Sequence, residues 1–360
     1  MENDFSKLPI NKSKPVLVTG ATGYVAGYLV KYLLESGVTV HAAVRDPSNK
    51  EKLKSLDEIA AKASGKIKYF KTDLLDQGSY AEAMKSCEIV FHTASPFTMD
   101  VNDPQKDLVD PAQLGTKNVL EEATRQGSVE RVIVTSSCAA IYGDNADLSK
   151  VPNGVLTEDV WNTSSSLTHG PYSYSKTLAE KKAWEIAGKQ DQWKLVTVNP
   201  SLVVGPAISK NPTSESFTIV KQMGDGSLKH GAPIMNMGCV DVRDLAYAHM
   251  AAAFLPNVEG RYIISGHNTD LFEMSQTLLS NYGENYPIPK KLMPKWIVWL
   301  LGPLINKAMT RKMVSLNIGV PWQADNSKSI EQLNIHYRPL KESMVEMFQQ
   351  QIDNKVFTQS

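Results

Sequence analysis

Near its start the chain reads Val16-Leu17-Val18-Thr19-Gly20-Ala21-Thr22-Gly23-Tyr24-Val25-Ala26, and an amphipathic pattern follows. The β-branched run predicts a strand, and the pattern after it predicts a helix over about 25–36. Glycines between the two let the backbone turn sharply and approach a pyrophosphate, which the free N–H groups of the helix would hold. This context favours a dinucleotide site over a plain turn. The expected loop contacts are Gly20, Thr22, Gly23, Tyr24 and Val25.

Strand-like runs alternate with helical patterns through the first half of the chain. The strands are predicted near 38–44, 67–70, 89–92, 131–135 and 194–198, with helices near 78–86 and 109–126. Such alternation indicates a parallel sheet covered by helices on both faces. The predicted fold is α/β, a Rossmann-type doubly wound parallel sheet with a smaller C-terminal substrate lobe.

The order changes beyond about Pro206, where connections are rich in glycine and proline. A strand is predicted near 260–264, and helices near 241–254, 270–281, 293–310 and 338–352. We assign residues 1–206 to the dinucleotide-binding domain, with 237–262 returning to it. Residues 207–236 and 263–360 are assigned to the substrate lobe. Within it, 209–233 is expected to be a mobile substrate loop or a plain connection.

The composition favours a globular chain with a small-molecule partner. With 360 residues and 42% hydrophobic content, the chain can bury a large core. Lys plus Arg and Asp plus Glu number 38 each, so no net charge draws the chain to nucleic acid. Cys87, Cys138 and Cys239 are too few and too scattered for a disulfide framework or a zinc site, and no metal is expected.

Two segments concern localisation. The N-terminus has no basic segment followed by an apolar one, so we expect no secretory signal. The apolar stretch 296–305 is far shorter than the roughly 20 residues of a spanning helix, and Gly302-Pro303 interrupts it. We interpret it as a packing or lid helix, with contact with a membrane surface as the alternative. A cytoplasmic protein, monomeric or homodimeric and without a membrane span, is expected.

A Tyr-x-x-x-Lys spacing occurs at Tyr172 and Lys176, in a helix-favouring stretch. The two side chains would share one helix face, so the ammonium could lower the phenol's pKa and prepare a proton donor. Such a pair alone is common on ordinary helix surfaces. Tyr174 has no Lys four residues on and is interpreted as packing or pocket wall. Ser137 follows the strand predicted at 131–135, at the sheet edge where ligands bind, and could hold a carbonyl oxygen.

The end of the second strand offers a guanidinium, Arg45, where a site selective for NAD usually offers a carboxylate. Together with Lys52, it favours the 2′-phosphate of NADP, because the guanidinium fork suits phosphate geometry. The alternative is a solvated basic surface in which Asp46 pairs with Arg45. Asp73, after the third strand, is expected either to bind the adenine amine or to cap the helix that follows.

Further motifs complete the pattern, at 91–97, 135–137, 175–181, 199–206 and 240–246. Together with the glycine loop and the Tyr-Lys pair, they resemble the extended short-chain dehydrogenase/reductases of the dihydroflavonol reductase, cinnamoyl-CoA reductase and yeast methylglyoxal (carbonyl) reductase group. The resemblance covers nearly the whole chain. It implies that Thr93 and Ala94 line the cofactor and that Pro200 and Val203 meet the nicotinamide carboxamide. Two further cofactor contacts are expected at Leu74 and Ser95.

Two departures from the family's patterns narrow the expected substrate. Tyr142 stands where dihydroflavonol reductases carry an Asn, and 170–176 lacks most of the cinnamoyl-CoA reductase signature. The pattern is closer to that of generalist aldehyde and ketone reductases. The expected apolar pocket wall is formed by Phe97, Tyr142, Met235 and Trp161, each of which could equally be core.

The resulting hypothesis is an NADPH-dependent carbonyl reductase acting on an aldehyde or ketone, aromatic or flavonoid-like substrates included. Tyr172 would donate a proton, Lys176 would lower its pKa and bind the cofactor ribose, and Ser137 would polarise the carbonyl. The alternatives are an NAD-dependent nucleotide-sugar epimerase/dehydratase, a 3β-hydroxysteroid dehydrogenase, and a non-catalytic NADP-sensing regulator.

Overall fold

A computed structural model of the chain describes residues 3–95, 101–210, 212–306 and 309–357. Within these ranges, seven parallel strands form one sheet in the order β3-β2-β1-β4-β5-β6-β9. The strands are β1 (Val16–Thr19), β2 (Thr39–Val44), β3 (Lys66–Lys71), β4 (Ile89–His92), β5 (Arg131–Thr135), β6 (Lys194–Pro200) and β9 (Gly260–Ile264). The order reverses between β1 and β4, which makes their carboxyl ends the topological switch point.

Helices cover both faces of this sheet. They are α1 (Tyr24–Glu35), α2 (Lys50–Ala60), α3 (Ala81–Met84), α4 (Asp110–Arg125), α5 (Pro171–Ala187) and α7 (Val242–Phe254). Helices α1 and α7 pack together on one face, and α4 and α5 pack on the other. Side chains of β1 alternate between the two faces of the sheet. Val18 lies in the core formed with α1 and α7, and Leu17 lies in the core formed with α4 and α5. The predicted doubly wound parallel sheet is confirmed.

A smaller lobe is built around a second sheet with strand order β10-β8-β7. Its strands are β7 (Leu202–Val204), β8 (Asn236–Asp241) and β10 (His267–Asp270). Its helices are α6 (Glu215–Gly224), α8 (Leu271–Tyr282), α9 (Lys295–Ile305), α10 (Arg311–Asn317) and α12 (Leu340–Asp353). Helix α11 (Ser327–Leu333) instead packs against α7 and β9 of the large sheet. After β8 the chain returns to the large sheet through α7 and β9. The division of the chain into domains at the residues given above stays a prediction.

Three elements differ from their predictions. The helix expected over 78–86 is the single turn α3, because Gly78 and Ser86 adopt positive φ on either side of it. The helix expected over 293–310 is instead α9 followed by α10, and α10 begins afresh where the Thr310 hydroxyl accepts from Met313 N. The stretch 209–233 is not a bare connection, since it contains α6.

The remaining global features are simple. All three cysteines are buried and free. In the part of the chain that the structure describes, no helix has both the length and the apolar character needed to cross a bilayer.

Candidate active site

The glycine loop between β1 and α1 is tightly shaped. Gly20 has a φ of 62°, and a Cβ added to it would lie 3.1 Å from the Cα of Ala94, so a side chain at this position would be both strained and crowded. Gly23 precedes α1, and no side chain caps this helix. The first N–H groups of α1 are therefore available to an anion, which the helix dipole also favours.

A hydrogen-bonded junction joins the ends of β1 and β4. The hydroxyl of Thr19 accepts from Ala94 N at 3.0 Å and lies 3.0 Å from His92 Nδ1, while the Thr93 hydroxyl donates to Thr19 O at 2.5 Å. Burial, reinforced by the charge of Lys176, lowers the pKa of His92 to about 3. The neutral imidazole can therefore accept from the Thr19 hydroxyl. These hydrogen bonds hold Thr93 and Ala94 beside the glycine loop, where we expect the cofactor to bind.

Tyr24 and Val25 at the start of α1 have side chains engaged elsewhere. The Tyr24 hydroxyl donates to Gly205 O at 2.5 Å, and its ring meets Phe217 of α6 edge-on, with centroids 5.2 Å apart. Val25 is half-buried against the main core. Any contact of these two residues with a pyrophosphate would therefore come from their backbone N–H groups.

Arg45 and Lys52 are exposed near the carboxyl end of β2. The Asp46 carboxylate, which was the alternative partner of Arg45, instead accepts from the Ser48 hydroxyl at 2.6 Å and from Ser48 N at 2.9 Å. These bonds, that of the hydroxyl first, hold the pKa of Asp46 below its usual value. Within the described ranges Arg45 forms no ion pair. Lys52 lines a groove together with Thr22 and Gly23.

Asp73 and Leu74 follow β3. The exposed Asp73 carboxylate accepts from Leu75 N at 2.9 Å and so caps a turn, because the next helix, α3, begins only at Ala81. Leu74 O accepts from the side chain of Asn118 on α4 at 3.0 Å. The outer edge of the Asp73 carboxylate faces solvent, and its contact with adenine stays a prediction.

Ser137, Tyr172 and Lys176 come together beyond the carboxyl end of β5. Ser137 is held by its own turn, in which its hydroxyl accepts from Ala139 N at 3.1 Å. Tyr172 is the second residue of α5, and its hydroxyl interacts with the Ser137 side chain. Lys176 Nζ lies 5.7 Å from the centre of the Tyr172 ring and 2.8 Å from the Ser95 hydroxyl. The expected cofactor contact Ser95 thus belongs to the same cluster.

Burial is the main influence on the pKa values of Tyr172 and Lys176. The pKa of Tyr172 is raised to about 12, first by burial of the hydroxyl and then by the charge of Glu215, while the Ser137 hydrogen bond lowers it. The residue as a whole is nevertheless 49% exposed. Burial also lowers the pKa of Lys176 to about 8. Burial opposes the expected lowering of the phenol's pKa by Lys176, which stays a prediction.

A buried polar network lies beneath the cluster and was missed in the sequence. Glu180, one turn after Lys176 on α5, accepts from Asn199 Nδ2 and Arg261 Nε at 2.7 Å each. It also accepts from the hydroxyls of Ser136 at 2.5 Å and Thr197 at 3.1 Å. This one carboxylate joins α5 to the ends of β5, β6 and β9.

The network also reaches Ser137, because Asn199 Nδ2 lies 3.2 Å from Ser137 O. Polar residues inside otherwise apolar strands, such as Asn199 and Arg261, are the signal that could have indicated it. Trp161, expected in the pocket wall, instead stacks on the Arg261 guanidinium at 3.8 Å.

The other residues expected to line the substrate pocket or to contact the nicotinamide carboxamide come from both the large sheet and the smaller lobe. Pro200 ends β6, and Val203 on β7 packs against the main core. Tyr142 is half-buried, with its ring centroid 5.8 Å from that of Trp322, and Met235 is half-buried between two clusters of the smaller lobe. Their substrate contacts stay predictions. Phe97 lies outside the described residues.

Comparison with known proteins agrees with this geometry. Residues 16–261 match the model of the NAD dependent epimerase/dehydratase family. Anthocyanidin reductase of Arabidopsis thaliana is 37% identical over 281 residues, which are 75% of this chain and 81% of that protein. Cinnamoyl-CoA reductase 1 of Petunia hybrida is 35% identical over 336 residues, 92% of this chain and 90% of that protein.

A solved structure extends the likeness to both lobes. The yeast methylglyoxal/isovaleraldehyde reductase complexed with NADPH superposes with a TM-score of 0.75 at 26% identity, covering 94% of this chain and 98% of that chain. Both the family match and these relatives agree with the resemblance found in the sequence. The chain therefore belongs to the NAD dependent epimerase/dehydratase family, among the extended short-chain dehydrogenase/reductases.

Proposed function

We propose that the protein is an NADPH-dependent reductase that converts an aldehyde or ketone to an alcohol. The observation that carries the proposal is the meeting of Ser137, Tyr172 and Lys176 beyond the carboxyl end of β5. Lys176 there contacts Ser95, the neighbour of the Ala94 that lies against the glycine loop. The related proteins named as reductases support the same class of reaction.

The residues present fit the cofactor. The glycine loop allows the close backbone approach that a pyrophosphate needs, since a Cβ at Gly20 would meet Ala94. Arg45 and Lys52 are exposed cations that form no close ion pair among the described residues, which suits the 2′-phosphate of NADPH. Asp73 would accept from the adenine amine, and Lys176 would donate to the nicotinamide ribose.

The side chains then have separate tasks in the reaction. Bound NADPH supplies the hydride that adds to the carbonyl carbon. The Tyr172 hydroxyl, protonated at neutral pH because its pKa is about 12, donates its proton to the carbonyl oxygen as negative charge develops there. Ser137 accepts from Ala139 N, so its own hydrogen can point to the same oxygen. The ammonium of Lys176 favours the phenolate that remains.

A substrate panel tests this proposal. The absorbance of NADPH, and then of NADH, is followed with aliphatic aldehydes, aromatic aldehydes, ketones, cinnamoyl-CoA, dihydroflavonols and anthocyanidins. We expect oxidation of NADPH with at least one carbonyl class and a clear preference for NADPH over NADH. Tight NADPH binding without turnover of any carbonyl would refute the reductase and favour the sensing regulator. Turnover of a nucleotide sugar with retained NAD would favour the epimerase alternative.

A further inference from the structure

Helix α9, Lys295–Ile305, presents an apolar outer face to solvent. The exposed fractions are 68% for Trp296, 82% for Leu304 and 81% for Ile305. Trp299, Leu300 and Leu301 are exposed on the same helix. Only Val298 and Gly302 of its residues are buried. So much large apolar surface on one short helix is unusual for a soluble domain and indicates a binding surface.

The helix is nevertheless firmly held by its inner face. Val298 packs with Val314 of α10 and with Ile318, and Met235 and Met293 border this small core. The Lys295 ammonium donates to Ser315 O at 2.9 Å. The outer face is therefore a fixed feature of the fold, not the product of a helix that lacks a place to pack.

All charged residues in the segment that contains α9 are basic. Residues 285–324 contain no Asp or Glu, whereas the whole chain has equal numbers of acidic and basic residues. The same segment contains six cations, Lys290, Lys291, Lys295, Lys307, Arg311 and Lys312. The five that the structure describes are exposed, and none of them forms an ion pair with a described residue.

The cations lie in sequence on both sides of the apolar face. Lys290, Lys291 and Lys295 precede it or begin it, and Arg311 and Lys312 follow it. Arg311 stacks on the Trp299 ring, with its guanidinium carbon 4.7 Å from the ring centre. Exposed tryptophans and aliphatic side chains combined with basic residues are typical of helices that lie in the headgroup region of an anionic bilayer.

We propose that α9 and its basic flanks, residues 290–306 and 309–312, bind the surface of anionic lipid membranes. The helix has 11 residues and lies in the plane of the interface, with Trp296, Leu304 and Ile305 inserted among the acyl chains. The basic side chains bind lipid phosphates and carboxylates. Charge also selects this occupant over a second copy of the chain, because a symmetric pair would bring six cations against six.

Vesicle flotation tests the proposal with the full chain. We expect the protein to float with vesicles of phosphatidylcholine and phosphatidylserine, and to float much less with phosphatidylcholine alone or at high salt. Tryptophan emission should shift to the blue on binding and be quenched by brominated lipids, because Trp296 and Trp299 enter the interface. Absence of binding to the anionic vesicles, or equal binding to both kinds, overturns the proposal.

Paired variants locate the surface. Trp296→Ser/Leu304→Ser should lower the partition onto anionic vesicles at least about tenfold, because two large apolar groups are removed from the lipid. Lys291→Gln/Lys312→Gln should weaken binding and reduce its salt dependence. The control, Leu114→Ser/Ile330→Ser, removes two apolar groups elsewhere that are 42% and 45% exposed, and it should bind as the parent does. Equal loss in the control overturns the assignment to α9.

Light scattering tests the remaining possibility, that the apolar face of α9 binds a second copy of the chain. If Trp296→Ser/Leu304→Ser converts a dimer to a monomer while the parent ignores vesicles, then the face is a contact between copies and the proposal is wrong. A monomeric parent that binds anionic vesicles supports it. Equal thermal unfolding midpoints for parent and variants, whose substituted side chains are exposed, show that lost binding does not reflect lost folding.

Discussion

At the scale of single residues, the polar groups of Tyr172 and Lys176 have different partners, which their spacing in the sequence does not reveal. The Tyr172 hydroxyl meets Ser137, whereas the Lys176 ammonium reaches across to Ser95 beyond the end of β4. The lysine therefore links α5 to the cofactor side of the cleft. The expected influence of Lys176 on the phenol would act over the 5.7 Å to the ring centre and not through a direct bond.

Replacing the proton donor gives the most direct test of its role. Tyr172→Phe should lower the rate of carbonyl reduction by about 10²- to 10⁴-fold, because only the donated proton is lost. NADPH affinity, measured by fluorescence titration, should remain near that of the parent. Tyr174→Phe, two residues on along α5, is the matched control and should stay active. Full activity of Tyr172→Phe would refute the assignment.

Cofactor choice is predicted to depend on one guanidinium. Arg45→Asp should shift the ratio of kcat/KM for NADPH to that for NADH toward NADH by about tenfold or more, since a charge-assisted bond to the 2′-phosphate is lost and repulsion replaces it. Lys50→Asp makes the same charge change at another exposed position at the start of α2 and should leave the ratio nearly unchanged. An unaltered ratio in Arg45→Asp would mean that the phosphate is bound elsewhere.

The positions of some site residues could be predicted from local spacing, while their roles stay predictions. The Gly20–Gly23 turn and the Tyr172–Lys176 pair are local patterns, and both occur where they were expected. Glu180 was missed because its partners come from three strands that are distant along the chain. The rise that burial causes in the pKa of Tyr172 could not be predicted either, since burial depends on tertiary packing and not on helical spacing.

At the scale of elements, α5 is joined to the sheet by a buried ion pair. Glu180 and Arg261 are almost completely buried, and their side chains meet at 2.7 Å. Glu180→Gln should reduce the free energy of unfolding by about 3–5 kcal/mol, because the Arg261 charge would remain buried without its partner. Urea denaturation measures this change. Glu185→Gln, on the same helix but in exposed pairs with Lys182 and Lys189, should change it little.

The opposite result for Glu180 would be informative. Equal stability of the Glu180→Gln protein and the parent would show that the network of neutral donors satisfies the site without the ionic charge. The double variant Glu180→Gln/Arg261→Gln should recover part of the loss, because no uncompensated charge stays buried.

Element boundaries were predicted well where hydrophobic periodicity is strong. The strands of the large sheet that were predicted and helices α1 and α4 differ from their predicted bounds by at most two residues. Periodicity could not separate α9 from α10, because apolar residues continue from one to the other. Nor did it indicate α6 or the small sheet, whose strands are short and lie among turn-forming residues.

At the scale of the whole molecule, His249 makes stability depend on pH. It is fully buried on α7, with Nδ1 2.8 Å from Leu245 O and Nε2 2.7 Å from the Thr135 hydroxyl on β5. Burial lowers its pKa from 6.5 to about 4. The folded state therefore binds fewer protons, so this contribution is complete above about pH 6.5 and is lost as pH falls toward 4.

The loss attributed to His249 amounts to about 3 kcal/mol over that interval. Urea unfolding at a series of pH values should show a smaller fall in stability for His249→Gln than for the parent. A residual fall is expected from His92, whose pKa burial lowers to about 3. His230→Gln, at an exposed position, is the control and should follow the parent. Identical pH profiles for His249→Gln and the parent would contradict this account.

The bond between Tyr24 and Gly205 has a consequence for how the two lobes communicate. Tyr24 opens the helix at which the dinucleotide is predicted to bind, and its ring packs on Phe217 of α6. Helix α6 begins at Glu215, the carboxylate that raises the pKa of Tyr172. A shift of the loop on cofactor binding would thus be transmitted to the proton donor. Binding of cofactor and of substrate would then be thermodynamically coupled, each changing the affinity for the other by the same factor.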